Sequence, residues 1–382
     1  MRVIGYRHQR TLASATEVKG VGFVNSVNPN ITWYTSTLTD IGLEGNLWNG
    51  KLTFEGDVFR RDRNGLLATP IIAIPGTYGL NLPPENINSD RTEGFEITLG
   101  TTGHIGKVNY SISPNMSFAR TEWRHYEQTS PLNSIDNYQN QLSHRWTDLV
   151  WGYKVVGQFK NEQDIYSSPI QDGAGNRTLL PGDYKYEDLN HDGQITTADQ
   201  KVIATGGAKP LIYFATNFNV SWNGFDISML WQGATMYSQS YNDQLSRPFY
   251  FADSDPITAF YNRWHQANMF DPTSPWIPGR YPSTGQRTNY IANSMGQDYN
   301  SANTYNATYL RLKSLQIGYT FKSLAVKQVK LKALRVFASG YNLLTFTGKG
   351  LNFVDPEYTD SRLYSYNYPI TLNITTGVQV TF

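Results

Sequence analysis

The sequence predicts an all-β protein, an antiparallel transmembrane β-barrel segment, on three observations. Apolar and polar residues alternate along nine stretches, tight turns alternate with long loops, and no apolar run is long enough for a membrane helix. Mean hydropathy is −0.47 over 382 residues. The longest apolar run, Leu66 to Ile74, is short against the roughly 20 residues of a spanning helix and is interrupted by Pro70. A barrel strand hides its membrane face in alternation, so polar average composition is compatible with lipid.

Composition removes several classes. Lys and Arg number 32 against 31 Asp and Glu, a net charge of +1, which argues against nucleic acid and its demand for a basic face. The absence of Cys excludes disulfide scaffolds, thiol catalysis and Cys-ligated metal. Met1 to Gly20 carries no apolar h-region, so no signal peptide is readable.

The nine candidate strands lie near 35–45, 51–61, 92–102, 106–120, 211–222, 225–233, 309–321, 331–344 and 371–382. In 212–222, Ile212, Phe214, Phe218, Val220 and Trp222 share one face, and Tyr213, Asn217, Asn219 and Ser221 the other. Phe225, Ile227, Met229 and Trp231 alternate with Asp226, Ser228 and Gln232. Leu315, Ile317, Tyr319 and Phe321 alternate with Gln316, Gly318 and Thr320, and Ile374, Val378, Val380 and Phe382 with Thr375, Gly377, Gln379 and Thr381. A sandwich with one wet face gives the same alternation.

Loop lengths separate the two. Tight turns at Asn46–Gly50, Thr102–Gly106, Ser221–Phe225 and Lys322–Lys330 alternate with stretches near 63–90, 122–210, 234–304 and 345–370. Loops beyond about 15 residues are uncommon in compact domains. Short turns on one side and long loops on the other are the habit of outer-membrane barrels. Placing every long loop outside brings Phe382 down into the periplasm. The run Tyr153–Phe159 breaks this parity if it spans, so it is expected to be extracellular loop structure. An odd strand count leaves open edges in lipid, so these residues are expected to be one side of a larger barrel. Residues 1–29 read as an extracellular loop or fragment start, and 30–382 as the barrel part.

Few residues carry chemistry. In the stretch from Asp188 to Asp199, oxygen-bearing side chains fall at positions 1, 3 and 5, as Asp188, Asn190 and Asp192. Gly193 permits a sharp turn, Gln194 offers its backbone carbonyl, and Asp199 closes the loop at position 12, where such loops usually have Glu. The spacing fits a structural Ca2+. An ordinary Asn/Asp/Gly turn is the alternative. The six His form no metal pairing, and no Walker or G-x-S-x-G sequence occurs. Asp172-Gly-Ala-Gly175-Asn reads as a turn. In the loop 234–304, Tyr237, Tyr241, Phe249, Tyr250, Phe251, Tyr261, Trp264 and Trp276 are either flat contacts for cargo or partner, with Tyr237, Tyr241, Trp264 and Trp276 as candidates, or the loop's own core. Trp222, Phe225 and Trp231 read as an aromatic girdle near the periplasmic hairpin.

Several blocks together resemble one family. They are Asn30-Ile-Thr-Trp33 before Asp40-Ile-Gly-Leu43, the strand Arg91-Thr-Glu-Gly94-Phe95-Glu96-Ile97-Thr98-Leu99, and Pro181-Gly-Asp183-Tyr-Lys-Tyr186 leading into Asp188-Leu-Asn190-His-Asp192-Gly193. Gly224-Phe225-Asp226-Ile-Ser228 with Gln232-Gly233 comes next, followed by Tyr309-Leu-Arg311-Leu-Lys-Ser-Leu315, Ser339-Gly-Tyr341-Asn342-Leu343-Leu344 and the terminal Phe382. In this order they are similar to the C-terminal barrel half of the SusC/RagA-type TonB-dependent outer-membrane transporters.

The resemblance implies a barrel of about 22 strands. It also implies a plug, energy from the TonB complex through an N-terminal plug region, and a SusD-like surface lipoprotein at the extracellular mouth. Cargo is then an oligosaccharide or a peptide, and Phe382 is an assembly signal for the barrel-assembly machinery. The expected location is the outer membrane, with outer-membrane lipid around the strands. Two other classes stay open: a secreted calcium-stabilised β-sandwich that binds glycans, and a glycan-degrading enzyme, the latter disfavoured because no paired carboxylates stand out.

Overall fold

The computed structural model describes residues 27–72, 82–207, 209–241, 245–246, 256–283, 300–321, 331–351, 354–358, 362–363, 368 and 370–382. Residues 1–26, the aromatic run Phe249–Phe251 and the turn 322–330 lie outside the described residues.

Nine strands follow one another across a single antiparallel sheet in chain order. They are β1 (Thr35–Leu47), β2 (Leu52–Ala68), β3 (Glu85–Ile105), β4 (Val108–His125), β5 (Ile212–Trp222), β6 (Phe225–Thr235), β7 (Tyr309–Phe321), β8 (Ala333–Thr347) and β9 (Asn373–Thr381). A tenth short strand, Arg145–Trp146, pairs with β4 off this path. The expected strands, their order and the alternation of short and long connections are borne out. β2, β3 and β4 run further into the long loops than the alternation suggested. Residues Val155–Gln158 pair with Tyr184–Tyr186 in a small loop sheet and take no place in the main one.

The chain divides into two compact units. The first comprises Met1–Asp40, Phe59–Glu93 and Thr121–Thr147, the second Ile41–Val58, Gly94–Arg120 and Asp148–Phe382. In the first unit, polar side chains hold the strands together. Arg63 grips both oxygens of the buried Asp90, and Arg91 and Arg60 converge on Asp62 at 2.7 and 2.8 Å. The hydroxyls of Thr92 and Thr121 meet at 2.9 Å.

In the second unit the two faces of the sheet are chemically opposite. Val220 stands opposite Ile227, Trp222 opposite Phe225, Ile227 opposite Ile317, and Val336 opposite both Tyr319 and Val378. Most of this face is exposed, as at Val378 (62 %) and Trp222 (52 %), and so are Ile105 of β3 at 73 % and Ile374 of β9 at 69 %. On the other face Asn219 stands opposite Ser228, whose hydroxyl donates to Asn219 Oδ1 at 2.7 Å, and the Ser339 and Thr375 hydroxyls meet at 2.8 Å.

One cation ties three strands on this polar face. Arg335 of β8 reaches across β7 to both carboxylate oxygens of Asp226 on β6, and donates to Gln316 Oε1 at 3.2 Å. It can cross because Gly318 lies underneath: a Cβ there would stand 2.5–2.8 Å from the guanidinium. Of the residues expected to form an aromatic girdle, Trp222 and Phe225 lie together beside the hairpin, stacking at 6.3 Å and continuing through Tyr319 to Phe321. Trp231 departs from it. It pairs with Thr216, well along the strand, and stacks on Phe346 at 6.5 Å. Proximity in sequence to the hairpin was not proximity in space, because a strand advances about 3.3 Å per residue.

Among the described residues the buried apolar cores lie in the long loops and the strand ends beside them. One gathers Ala234, Tyr237, Tyr241, Leu245, Ala307, Tyr309 and Leu351, a second Phe159, Ile165 and Leu179, a third Tyr153, Tyr184 and Tyr186.

The β5–β6 turn shows how local geometry sets register. Asn223 and Gly224 have φ of 45° and 93°, the pair of left-handed residues that a two-residue hairpin matched to strand twist requires. A Cβ on Gly224 would lie 2.8 Å from the Thr320 carbonyl oxygen. Gly224→Ala is expected to cost about 1–3 kcal/mol, read as an earlier urea midpoint of the refolded protein.

Candidate functional site in the long loops

The connection from β4 to β5 is a folded body built on buried polar anchors. Asp172 is buried and receives four hydrogen bonds: from the Ala174 and Asn176 amides at 2.7 Å each, the Thr178 amide at 2.9 Å and the Thr178 hydroxyl at 2.8 Å. Burial by itself raises this carboxyl's pKa. The Thr178, Ala174 and Asn176 donors outweigh it and hold the group below the usual carboxylate range. Asn176, 2 % exposed, completes the turn: its Oδ1 accepts from Gln171 N, and its amide donates to the carbonyls of Ile165, Ser168 and Pro169. The reading of 172–176 as a turn is borne out.

The Pro181-Gly-Asp183 block has a packing reason. Gly182 has φ of 93°, and a Cβ on it would sit 2.2–2.8 Å from the Trp264 side chain. Asp183, fully buried, accepts from Leu180 N at 2.7 Å. Asp164 is held below the usual carboxylate range first by its hydrogen bond from Lys185, at 2.9 Å.

The loop 188–199 closes on itself. Asp188 Oδ2 accepts from Gly193 N at 2.9 Å, Asn190 Oδ1 from Asp192 N at 3.1 Å, and Asp192 Oδ1 from Gln194 N at 2.8 Å. Gly193 takes φ of 80°, the sharp turn its position calls for. Asp188 Oδ1 is buried without a hydrogen-bond partner, an orphaned acceptor of the kind a cation would satisfy. Asp199 is placed otherwise. Its oxygens accept from Leu189 N at 2.8 Å and Thr196 N at 2.7 Å, the second closing a capping box on the short helix Thr197–Asp199. Among the described residues no group of three or more His, Cys, Asp or Glu is placed to share a metal ion.

The aromatic candidates are mostly spent inside the loops. Tyr237 and Tyr241 are buried in the largest loop core, their hydroxyls donating to the carbonyls of Pro356 and Gly350. Trp264 is buried, and its indole N–H donates to Gln158 Oε1 at 3.2 Å. For these three the loop-core alternative fits, and direct contact with cargo does not. Trp276 is half-buried in a short hairpin with His265–Gln266. Tyr261 stands free at 84 % exposure.

Sequence reasoning missed a buried charge cluster. Arg311 on β7 is 2 % exposed and meets Asp355 and Glu357, while Lys313 donates to Glu357 at 2.7 Å. The signal was present: two cations and two acids share the same two-residue spacing, which puts each pair on one side of an extended segment.

No family model matches the chain. It is 26 % identical over 391 residues to the TonB-dependent receptor P26 of Formosa agariphila, covering 97 % of the chain and 37 % of that relative. It is 23 % identical over 364 residues to the TonB-dependent receptor SusC of Bacteroides thetaiotaomicron, covering 93 % of the chain and 32 % of that receptor. The chain thus spans about a third of the length of the curated relatives it matches. The RagAB peptide importer in its open-open state shares the fold at a TM-score of 0.66 and 18 % identity, covering 100 % of this chain and 38 % of that one. The resemblance to SusC/RagA-type receptors is borne out. None of these relatives is an enzyme, and the fold class is that of their barrels.

The Asp172 anchor titrates. Its folded pKa is depressed, so its stabilisation is complete above the unfolded value of about 3.9 and is lost as pH falls through the lower folded one. The loop 162–186 of the full-length parent is therefore expected to become protease-sensitive as pH drops below about 4. Asp172→Ala is expected to reproduce that sensitivity at neutral pH, costing about 1.5–3 kcal/mol.

Proposed function

We propose that the chain forms barrel wall of an outer-membrane, TonB-dependent nutrient importer. The exposed apolar face of the second unit carries this reading. A water-soluble sandwich buries such a face under a second sheet, whereas here Ile105, Ile374 and Val378 stand open. Lipid is the solvent that suits them. The opposite face, with Asn217, Asn219, Ser221, Asp226, Ser228, Gln316, Thr320, Gln379 and Thr381, then lines a wet lumen.

In this reading the long loops lie outside the cell and the C-terminus lies in the periplasm, where Phe382 addresses the barrel-assembly machinery. A SusD-like lipoprotein covers the outer mouth, and the TonB complex supplies energy. Cargo is an oligosaccharide or a peptide. A relative of the same fold is named a peptide importer, which supports the second. Deleting the full-length parent gene is expected to abolish cell uptake of either fluorescein-labelled oligosaccharides or a labelled peptide digest. Unchanged uptake of both sinks the proposal.

The faces have their own test. Arg on this face costs about 2–4 kcal/mol near the bilayer midplane and less toward the interfaces; at Val220 or Ile227, two residues from the hairpin aromatics, it is expected to cost about 1 kcal/mol and to lower the outer-membrane level on immunoblots. Arg at Asn219 should be milder, and deletion of Phe382 should lower the same readout. Equal damage at Val220 and Asn219 would mean the faces are misassigned.

We also propose that the loop 188–199 binds Ca2+ through Asp188, Asn190, Asp192, the Gln194 carbonyl and Asp199. The spacing and the orphaned Asp188 Oδ1 support it. It requires Asp199 to release an amide. At such a site bound calcium supplies charge neutralisation and stiffening only. Affinity in the range of about 10⁻⁴–10⁻³ M suffices outside a cell. Chelation and Asp192→Ala are each expected to leave the barrel inserted and make residues 188–199 protease-sensitive. No effect of millimolar Ca2+ on that cleavage removes the ion.

A further inference from the structure

Residues 354–358 turn back from the loop after β8 onto the polar face of the sheet. Arg311 marks the landing place. It stands opposite Gln232 of β6 and Thr345 of β8, and its Nε donates to the Thr345 hydroxyl at 2.9 Å. Its two outer nitrogens face Asp355 Oδ2 at 2.5 Å and Glu357 Oε1 at 2.9 Å, the latter an ion pair not aligned as a hydrogen bond. Lys313 holds the second oxygen of Glu357. The backbone is pinned as well: Tyr237 OH donates to the Pro356 carbonyl at 2.5 Å, and the Gln239 amide reaches the carbonyls of Pro356 and Tyr358. Burial pushes the Tyr237 phenol far above its usual range, and Tyr309, Tyr213, Asp355 and Glu357 add to the shift, so this donor keeps its proton.

We propose that Arg311 latches residues 355–358 as a permanent strap on the lumen side of β6–β8, narrowing the path at the loop end of this wall through the whole transport cycle. The proposal rests on the importer reading, since only there is the polar face a lumen. The physical reason for permanence is the buried guanidinium. Two carboxylates share it, and lifting the strap would leave charges without partners in a site water barely reaches. Of the other tethers only the Lys313–Glu357 pair is charged, and it leaves Asp355 without a cation once Arg311 is gone.

The experiment uses the full-length parent in outer-membrane vesicles and the endoproteinase Glu-C, which cleaves after Glu357. Wild-type protein is expected to resist cleavage there. Arg311→Met is expected to raise the open population about 10²–10³-fold, giving a fragment that ends at Glu357, and to sensitise cells to vancomycin, which is too large for an intact outer membrane. Arg311→Met/Lys313→Met/Asp355→Leu/Glu357→Leu, which removes all four charges together, is expected to restore vancomycin resistance. Where Arg311→Met fails to reach the membrane, Tyr237→Phe keeps every charge, removes one tether and is expected to be cleaved at an intermediate rate. Rapid wild-type cleavage at Glu357, or full protection in both Arg311→Met and Tyr237→Phe, overturns the latch. Cleavage without vancomycin sensitisation overturns the narrowing. Absence of the protein from the outer-membrane fraction sinks the importer reading instead, and Glu-C digestion of detergent-solubilised protein still decides the latch.

Discussion

Backbone pairing is the constraint from which the rest follows. A sheet whose apolar face meets lipid has no water to satisfy a stray N–H or carbonyl, so each strand must be hydrogen-bonded along its length by its neighbours. Among the described residues the seven inner strands meet this in the simplest way, each pairing with its neighbours in sequence. Register then becomes decisive, because a slip of one residue would exchange the apolar and the polar face. The left-handed Asn223-Gly224 turn and the Arg335 bridge over Gly318 are two places where this register is pinned.

A wall of this kind has no interior of its own, which moves the packing problem into the loops. Tyrosines make up all of one loop core and three of the seven buried residues of the largest, where the hydroxyls of Tyr237 and Tyr241 find loop carbonyls. Buried Asp172, Asn176, Asp183 and Arg311 act as polar fasteners where apolar area is scarce. An aromatic-rich, Cys-free chain is suited to this: Tyr buries a large ring and brings its own donor to a backbone that regular structure leaves unpaired.

Strand positions were legible because the period of two is local information. Ile212 to Trp222 and Leu315 to Phe321 reveal their faces without knowledge of any partner. The ends were less legible. β2 and β3 continue past the apolar alternation into stretches where Arg60, Asp62, Arg91 and Glu93 face one another, and charged residues do not look like strand until their counterions are seen across it. Trp231 was misplaced for the same reason, since its neighbour Phe346 comes from a strand more than a hundred residues away.

The sequence by itself determined the fold class, the strand count and order, the turn chemistry and the oxygen spacing of the loop 188–199, because each depends on neighbours a few residues apart. Only the tertiary structure decided what the long loops do with their side chains. It buried Tyr237, Tyr241 and Trp264, turned Asp199 to cap its own loop, and brought Arg311 to Asp355 and Glu357. Aromatics and charges are suited equally to ligand contact and to internal packing, and which of the two they serve is set by burial and by partners distant in sequence.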